Sequence, residues 1–464
     1  MYPTKHLKPD YHFMRLLFIT ISFFLCAQFK GMAQSSSSSE KNNFTSYAKL
    51  DDYKKHLNAI AEKNAEALEK KIRKEYNEII SEKNQDLLTE LQENNFLFEP
   101  ETTNYLSSIF FHIVEKNNLN KNDFHFFVSR SASVNASTYE DGTVICNLGL
   151  LNIAETESQV AMVFCHELAH YLLNHVNSSI IQRIEKFNSP EFLAQVKEIK
   201  KEKYNTKKQL EDLLMSDLFN RRRHNRSQEL AADSLGMLLF SRTSYGSTAI
   251  PHLFDLLDLS DSVVNKSTIR EFCNRENIAT DESWFTVRKK MTFGTEVKKE
   301  IKDTLRTHPD CTIRKAYAQG FFSKSPKPGA DFVLSNNTAL ITIKEKADFE
   351  EARYSKDKER LSYYLFQLIQ DDVRYPNNKF VKQEIFELLL SFYIKQKNHT
   401  LAFVIDSPYA TENNNDEYAK LLKMLDGLDL QRMKAIVNNY LEKNKSYITL
   451  NNDLNKNLQE LNKN

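Results

Sequence analysis

The chain has 464 residues, 41% of them hydrophobic, and a formal charge of +1. That is enough for two or three domains with packed cores, and it lacks the basic excess of a nucleic-acid binder. Only 9 glycines and 10 prolines speak against an all-β protein with many tight turns, so the expected class is α+β, predominantly α.

At the N-terminus, Arg15 precedes an apolar run from Leu16 to Ala27, and Gly31-Met32-Ala33 places small residues ahead of Gln34. This reads as a signal peptide over 1–33, with an uncleaved anchor as the alternative. The run is too short to span a bilayer, and Phe-Phe-Leu before Cys26 argues against lipidation. Lys5, Lys8, Arg15 and Lys30 against Asp10 make this segment basic, so the remainder is slightly acidic and no better suited to polyanions.

Residues 34–95 read as a Ser-rich linker and a long charged helix. Leu50, Tyr53, Leu57, Ile60, Leu68, Ile72, Tyr76, Ile79 and Ile80 form a narrow stripe, which suits a helix lying across another domain better than a coiled coil. Pro100 opens the next unit, expected over 96–325. Thr103 to Lys116 has an amphipathic pattern, Asp123 to Ser129 reads as a strand, and Val134 to Leu148 reads as a hairpin through Asp141-Gly142.

Val160 to His175 reads V-A-M-V-F-C-H-E-L-A-H-Y-L-L-N-H. Thr156 and Gln159 fit a capping box, and Val160, Val163, Phe164, Leu168, Leu172 and Leu173 recur at helical spacing. On such a helix His166 and His170 share one face, a turn apart, and Glu167 lies beside them. This is metal-ligand spacing with a general base next to it. Catalytic zinc takes three protein ligands, so a further one is needed. Arg226 to Leu239 offers Glu229 and Asp233, again four apart, with Ala231 and Ala232 between them. Small residues there suggest a close helix crossing with the acidic face turned inward. Between the two motifs the chain is strongly charged, and Arg221, Arg222 and Arg223 read as solvated rather than as a nucleic-acid contact.

With Asn135 to Leu151 before them and T-H-P-D-C-T-I-R (Thr307 to Arg314) after them, these motifs resemble the HtpX-like and CAAX-prenyl-protease-like zinc metallopeptidases. The resemblance covers roughly Glu101 to Phe322 and extends to a soluble exported branch with helical-repeat tails. It implies a zincin-type domain with a small edge sheet and one Zn2+ held by His166, His170 and Glu229, with Glu167 as the base. Asp233 would accept the free N–H of a ligand histidine, which fixes its tautomer. His308 would lie beside the metal, either stabilising the oxyanion or plugging the open position, and Arg314 would anchor that turn through a carboxylate. Val144, Ile145 and Cys146 would form the substrate edge strand, taking an extended peptide by strand addition. A charged insertion, roughly Asp261 to Lys302, separates Glu229 from His308, and His252 is the rival for the late histidine.

Cys146, Cys165, Cys273 and Cys311 allow two disulfides, Cys273 with Cys311 and Cys146 with Cys165, or four buried free thiols. Lys324 to Asp331 reads as a linker, and 326–464 as an α-helical domain. Tyr375-Pro376 and Ser407-Pro408 suggest a degenerate tetratricopeptide-like repeat or a plain bundle. The expected protein is an exported, periplasmic or envelope-associated zinc endopeptidase in protein quality control. Its partners would be protein or peptide substrates, with client proteins on the helical tail and peripheral membrane association left open. The competing reading is an assembly or chaperone-like adaptor with a closed or latent metal site. An intact Glu167 favours the enzyme.

Overall fold

The computed structural model describes residues 47–131, 133–202, 206–260, 268–285, 311–324, 338–407 and 416–462. The expected signal peptide, the Ser-rich linker and His308 lie outside them. The charged stretch before the catalytic motifs forms two helices rather than one, α1 (Tyr47–Ala65) and α2 (Lys70–Gln92). At the break, the Leu68 N–H donates to the Ala65 carbonyl at 3.1 Å. Arg73 holds the turn by donating to the carbonyls of Glu66 and Leu68 at 2.6 and 2.9 Å. Folding back lets the narrow stripe bury itself on two neighbours. Tyr53, Leu57, Leu87, Leu88 and Leu91 pack on one face of the sheet, while Tyr76 and Ile80 meet Ile184.

Next come β1 (Phe96–Leu97), α3 (Pro100–Lys116), β2 (His125–Ser129), β3 (Ala136–Thr138) and β4 (Thr143–Asn147). The sheet order is β1-β2-β4-β3. β2 and β4 run parallel, and the outer pairs are antiparallel. Gly142 makes the β3–β4 turn at φ +87°, a backbone conformation that costs glycine little. A Cβ there would lie 2.1 Å from the Asp123 carbonyl oxygen.

β4 is interior in every direction. Val144 and Cys146 face the first core described below, and Ile145 faces α1 and α2. Both of its edges are paired, so its backbone has no free ladder for a substrate. The expectation that Val144, Ile145 and Cys146 form the substrate edge is therefore corrected. The open edge on this side of the sheet belongs to β3, which among the described residues pairs with β4 alone.

The remaining helices are α4 (Gly149–Ile153), α5 (Glu157–Leu172), α6 (His175–Phe187), α7 (Pro190–Lys201), α8 (Thr206–Ser241), α9 (Ile250–Ser260), α10 (Thr268–Arg275), α11 (Glu282–Phe285), α12 (Cys311–Lys324), α13 (Thr338–Asp357), α14 (Leu361–Arg374), α15 (Lys379–Lys397), α16 (Asp416–Gly427), α17 (Leu430–Asn444) and α18 (Asn452–Asn462). The architecture is predominantly α with one small sheet, as expected. One core joins α3, the inner sheet face, α5, α8, α9 and α12 through Phe110, Val144, Phe164, Phe240, Phe254 and Phe322. A second core joins α14 to α18 through Phe366, Phe392, Leu421 and Tyr440.

The described part of the charged insertion belongs to this second core, not to the catalytic unit in which the sequence reading counts it. Ile269, Phe272, Cys273 and Trp284 are buried there. A polar bolt holds α10 in place: the buried Lys382 ammonium lies 2.9 Å from Asp372 and 3.3 Å from Glu276. α13 spans both cores, with Ala347 in the first and Ala352 in the second. Arg130 at the end of β2 grips α13 through Glu350 at 2.6 Å and Asp357 at 2.8 Å. Cys146, Cys165, Cys273 and Cys311 are buried and no disulfide joins them, which is the second of the two alternatives left by the sequence. Cys273 packs in the second core, 3.9 Å from the Met424 sulfur, while Cys311 packs in the first. No described helix is long and apolar enough to cross a membrane.

Candidate metal centre

α5 starts with the expected capping box. The Thr156 hydroxyl accepts from the Gln159 N–H at 3.2 Å, and the Gln159 side-chain oxygen accepts from the Thr156 N–H at 3.2 Å. Val160, Phe164 and Leu168 are buried along one face, which turns His166, Glu167 and His170 toward a cleft. The apolar stripe stops earlier than its pattern suggests, since Leu172 and Leu173 are each 38% exposed. Asn174, at φ +55°, ends the helix in a left-handed conformation that asparagine tolerates. The chain turns there, and His175 opens α6 with its Nδ1 3.0 Å from His170 Nδ1.

α8 crosses α5 closely because Ala232 and Gly236 present almost no side chain. A Cβ on Gly236 would meet His166 Cα at 3.1 Å and His166 N at 3.2 Å. Gly236→Ala is therefore expected to force the helices apart, costing about 1–3 kcal/mol and weakening metal retention. Urea unfolding and zinc content of the purified variant check this.

The crossing brings donors from two distant helices together. His166 Nε2 and His170 Nε2 lie 3.1 Å apart, and the Glu229 carboxylate oxygens lie 3.4 Å from the first and 3.5 Å from the second. Ligands at about 2.0–2.1 Å from a tetrahedral zinc stand about 3.3 Å from one another, so this triangle has the dimensions of the ion's coordination shell. The donor set, two imidazoles and one carboxylate, is that of a catalytic zinc site with a position left open.

Behind the donors, His166 Nδ1 lies 2.9 Å from Asp233 Oδ1, and Asp233 is fully buried. Arg314 on α12 donates through Nε to Asp233 Oδ2 at 2.8 Å and through Nη2 to Oδ1 at 2.7 Å, and its guanidinium lies over the Phe254 ring. Burial opposes the Asp233 charge, but hydrogen bonds from His166 and Arg314 outweigh it and hold the carboxyl well below its usual range. The same balance takes Glu229 down to about 2, with His166 as its main partner. Burial also works against a charged His166, yet Asp233 and Glu229 raise it to about 9. Burial and then His166 lower His170 to about 4, and burial pushes Glu167 up to about 7.

These values set a pH dependence. Without an ion, His166 keeps its proton below about pH 9, whereas His170 and Glu229 are already in ligating form at neutral pH. A cation must displace that proton. Apparent zinc affinity is therefore expected to fall about tenfold per unit as pH drops from 9 to 7, with one proton released per ion. Competition titrations with a chromophoric chelator across that range measure the slope.

The cleft encloses about 140 Å3 and is lined by His166, Glu167, His170, Glu229, Asp233 and Arg314, with Leu253, Phe254 and Leu257 on one wall and Val134, Asn135 and Ala136 on another. His252 is not part of it: it is half exposed and lies 3.5 Å from Glu155 and 3.4 Å from Asp255. Three contacts escaped the sequence reading. Thr138 Oγ1 donates to Glu167 Oε2 at 3.4 Å, His175 meets His170, and Gly236 permits the crossing. His175 was visible in the motif, but five residues is off the helical face, and only the break at Asn174 brings it round.

The sequence pattern of peptidase family M48 matches residues 100–320. The β-barrel assembly-enhancing protease of Escherichia coli strain K12 is 32% identical over 78 residues, 17% of this chain and 16% of that protein. Its counterpart in Yersinia pestis is 26% identical over 80 residues, with the same shares. The putative β-barrel assembly-enhancing protease of Vibrio cholerae is 24% identical over 164 residues, 34% of this chain and 33% of the relative. The chain thus aligns with no more than a third of these relatives' length. The two metal-competent helices lie inside the matched stretch, and residues 100–320 match as a domain of peptidase family M48.

Proposed function

We propose that the chain is an exported zinc-dependent endopeptidase of the cell envelope, cleaving proteins handled during envelope quality control. The observation that carries this reading is the triangle of His166, His170 and Glu229 donors at coordination spacing, with Glu167 beside it in one cleft. Similarity to proteases named for enhancing β-barrel assembly supports the choice of substrates. When bound, zinc polarises the scissile carbonyl and acidifies water to a pKa of about 7. Glu167 takes a proton from the attacking water and returns it to the leaving amine, and Thr138 steadies its carboxylate. Asp233, clamped by Arg314, keeps His166 in the tautomer whose Nε2 lone pair faces the cleft. His308 is assigned as a donor to the developing oxyanion. The alternative for His308, a plug on the open coordination position, makes the opposite prediction for its removal. The helical region beyond residue 326 is assigned to holding client proteins.

The substrate strand is assigned to β3. Backbone bonds link Asn147 N–H to the Asn135 carbonyl and Tyr139 N–H to the Thr143 carbonyl. By the alternation of an antiparallel ladder, the backbone groups of Ala136 and Thr138 point to the open edge. Ala136→Pro removes one such donor without touching the ladder, and is expected to raise KM about two- to tenfold at nearly unchanged kcat. Steady-state cleavage of a fluorogenic peptide reads this.

The test of the overall reading is zinc content together with casein cleavage for the wild type and His308→Ala. Bound zinc with cleavage supports the peptidase, and a rise in cleavage on removing His308 identifies it as the plug. Zinc without cleavage in both proteins favours the adaptor reading instead. A wild type with neither zinc nor cleavage overturns the proposal.

A further inference from the structure

A second group of metal-competent side chains lies away from the cleft. His56 on α1, His125 at the start of β2 and Asp141 in the β3–β4 turn each offer one ligand atom, and these atoms lie within 4.8 Å of one another. None of the three lines the cleft, and His56 precedes the stretch that matches the peptidase family. The cluster exists only because α1 folds onto the sheet.

We propose that His56, His125 and Asp141 form a second divalent-cation site, with zinc as its preferred ion, that clasps α1 to the β3–β4 hairpin. The donor set suits it, since two imidazoles and a carboxylate are ordinary zinc ligands. His56 Nε2 lies 3.6 Å from Asp141 Oδ2, near the spacing of two ligands on one ion. The His56 and His125 ring centroids are 4.5 Å apart, against 4.7 Å for the His166 and His170 pair.

Two further observations favour an ion over a simple His56–Asp141 ion pair. The first is that His125 Nδ1 is buried with no hydrogen-bond partner among the described residues, a state that costs free energy and is uncommon. A proton on His56 serves Asp141, whose backbone carbonyl oxygen also lies 3.2 Å from His56 Nε2, and does nothing for His125, whereas an ion would draw on one ligand atom of each of the three groups. The second is that Asp141 is buried and held in orientation. Thr143 donates to its two oxygens, from Oγ1 at 2.6 Å and from N–H at 3.2 Å, and Tyr53 in turn donates to Thr143 Oγ1 at 2.7 Å. Such outer hydrogen bonds are what fix a ligating carboxylate. The neighbouring Glu140 is engaged by Lys83. Because the hairpin carries β3, occupancy of this site would steady the strand whose Thr138 touches Glu167.

The proposal does not depend on peptidase activity, and its test keeps the two apart. In the full mature chain, His166→Ala with His170→Ala removes the first centre. Equilibrium dialysis against zinc, followed by elemental analysis, is expected to find two ions per wild-type chain and one in this background. Adding His56→Gln or Asp141→Asn should bring the count to zero and abolish the zinc-dependent rise in Tm. The Asp141→Asn change keeps an acceptor for Thr143, and His56 is a partly exposed helix position, so at least one variant retains its fold by circular dichroism. An empty His166→Ala, His170→Ala chain overturns the proposal. So does an ion that survives both His56→Gln and Asp141→Asn. Casein cleavage plays no part in either outcome.

Discussion

Glu167→Gln is expected to lower kcat by at least about 10²–10⁴-fold, the usual worth of a positioned general base, while zinc content and Tm stay at wild-type values. Glutamine matches the carboxylate in shape and still accepts from Thr138, but it cannot take a proton from water or pass one to the leaving amine. The pH profile supplies an independent check. Burial raises the Glu167 carboxyl to about 7 in the metal-free site, and a cation beside it favours the charged form. The acid limb of kcat/KM should therefore fall below pH 7 in the zinc enzyme, with activity rising as pH increases through it. Stopped assays from pH 5 to 8, with zinc measured on the same samples, would sink the assignment if Glu167→Gln kept more than a tenth of the wild-type rate.

The second large effect is expected at Asp233, which touches no substrate. Asp233→Ala strips the buried Arg314 of both charge-assisted bonds and leaves a guanidinium with 5% residual exposure uncompensated. Breaking one side of such a pair costs about 3–5 kcal/mol. His166 also loses the acceptor at Nδ1, for which zinc affinity should drop about 10–100-fold. The two losses separate in the double variant. Asp233→Ala with Arg314→Met removes the orphaned charge and should recover most of the stability, because burying neither ion is often no worse than burying both. It should not recover the affinity. Urea unfolding of the metal-free proteins and chelator competition for zinc measure the two quantities separately, and recovery of both together would rule out the positioning role.

Much of the site could be read locally. The capping box at Thr156 and Gln159 and the i, i+4 spacings of His166 with His170 and Glu229 with Asp233 depend only on the geometry of one helix at a time. The same is true of the small residues that announced a close crossing. The errors share one physical origin. Val144, Ile145 and Cys146 have an ordinary strand pattern, and nothing in five residues states whether another strand or a helix from far along the chain covers each side. α1 and α2 share one stripe in sequence, yet a turn held by Arg73 lets it bury against two surfaces. For the cysteines the sequence left both two disulfides and four buried thiols open, and only packing, which puts Cys273 and Cys311 in different cores, decides between them.

Sequence alone determined the helix phases, the chemical identity of the candidate donors and candidate base, and the predominance of α structure, because each follows from periodicity over a few turns or from side-chain chemistry. Tertiary structure decided that β3 rather than β4 holds the open edge, that the described part of the insertion packs with the C-terminal helices, and that His175 meets His170. It also decided that His56, His125 and Asp141 meet at all. Edges, coverage and convergence are properties of what lies across a gap, and those neighbours are set by packing between segments tens to hundreds of residues apart.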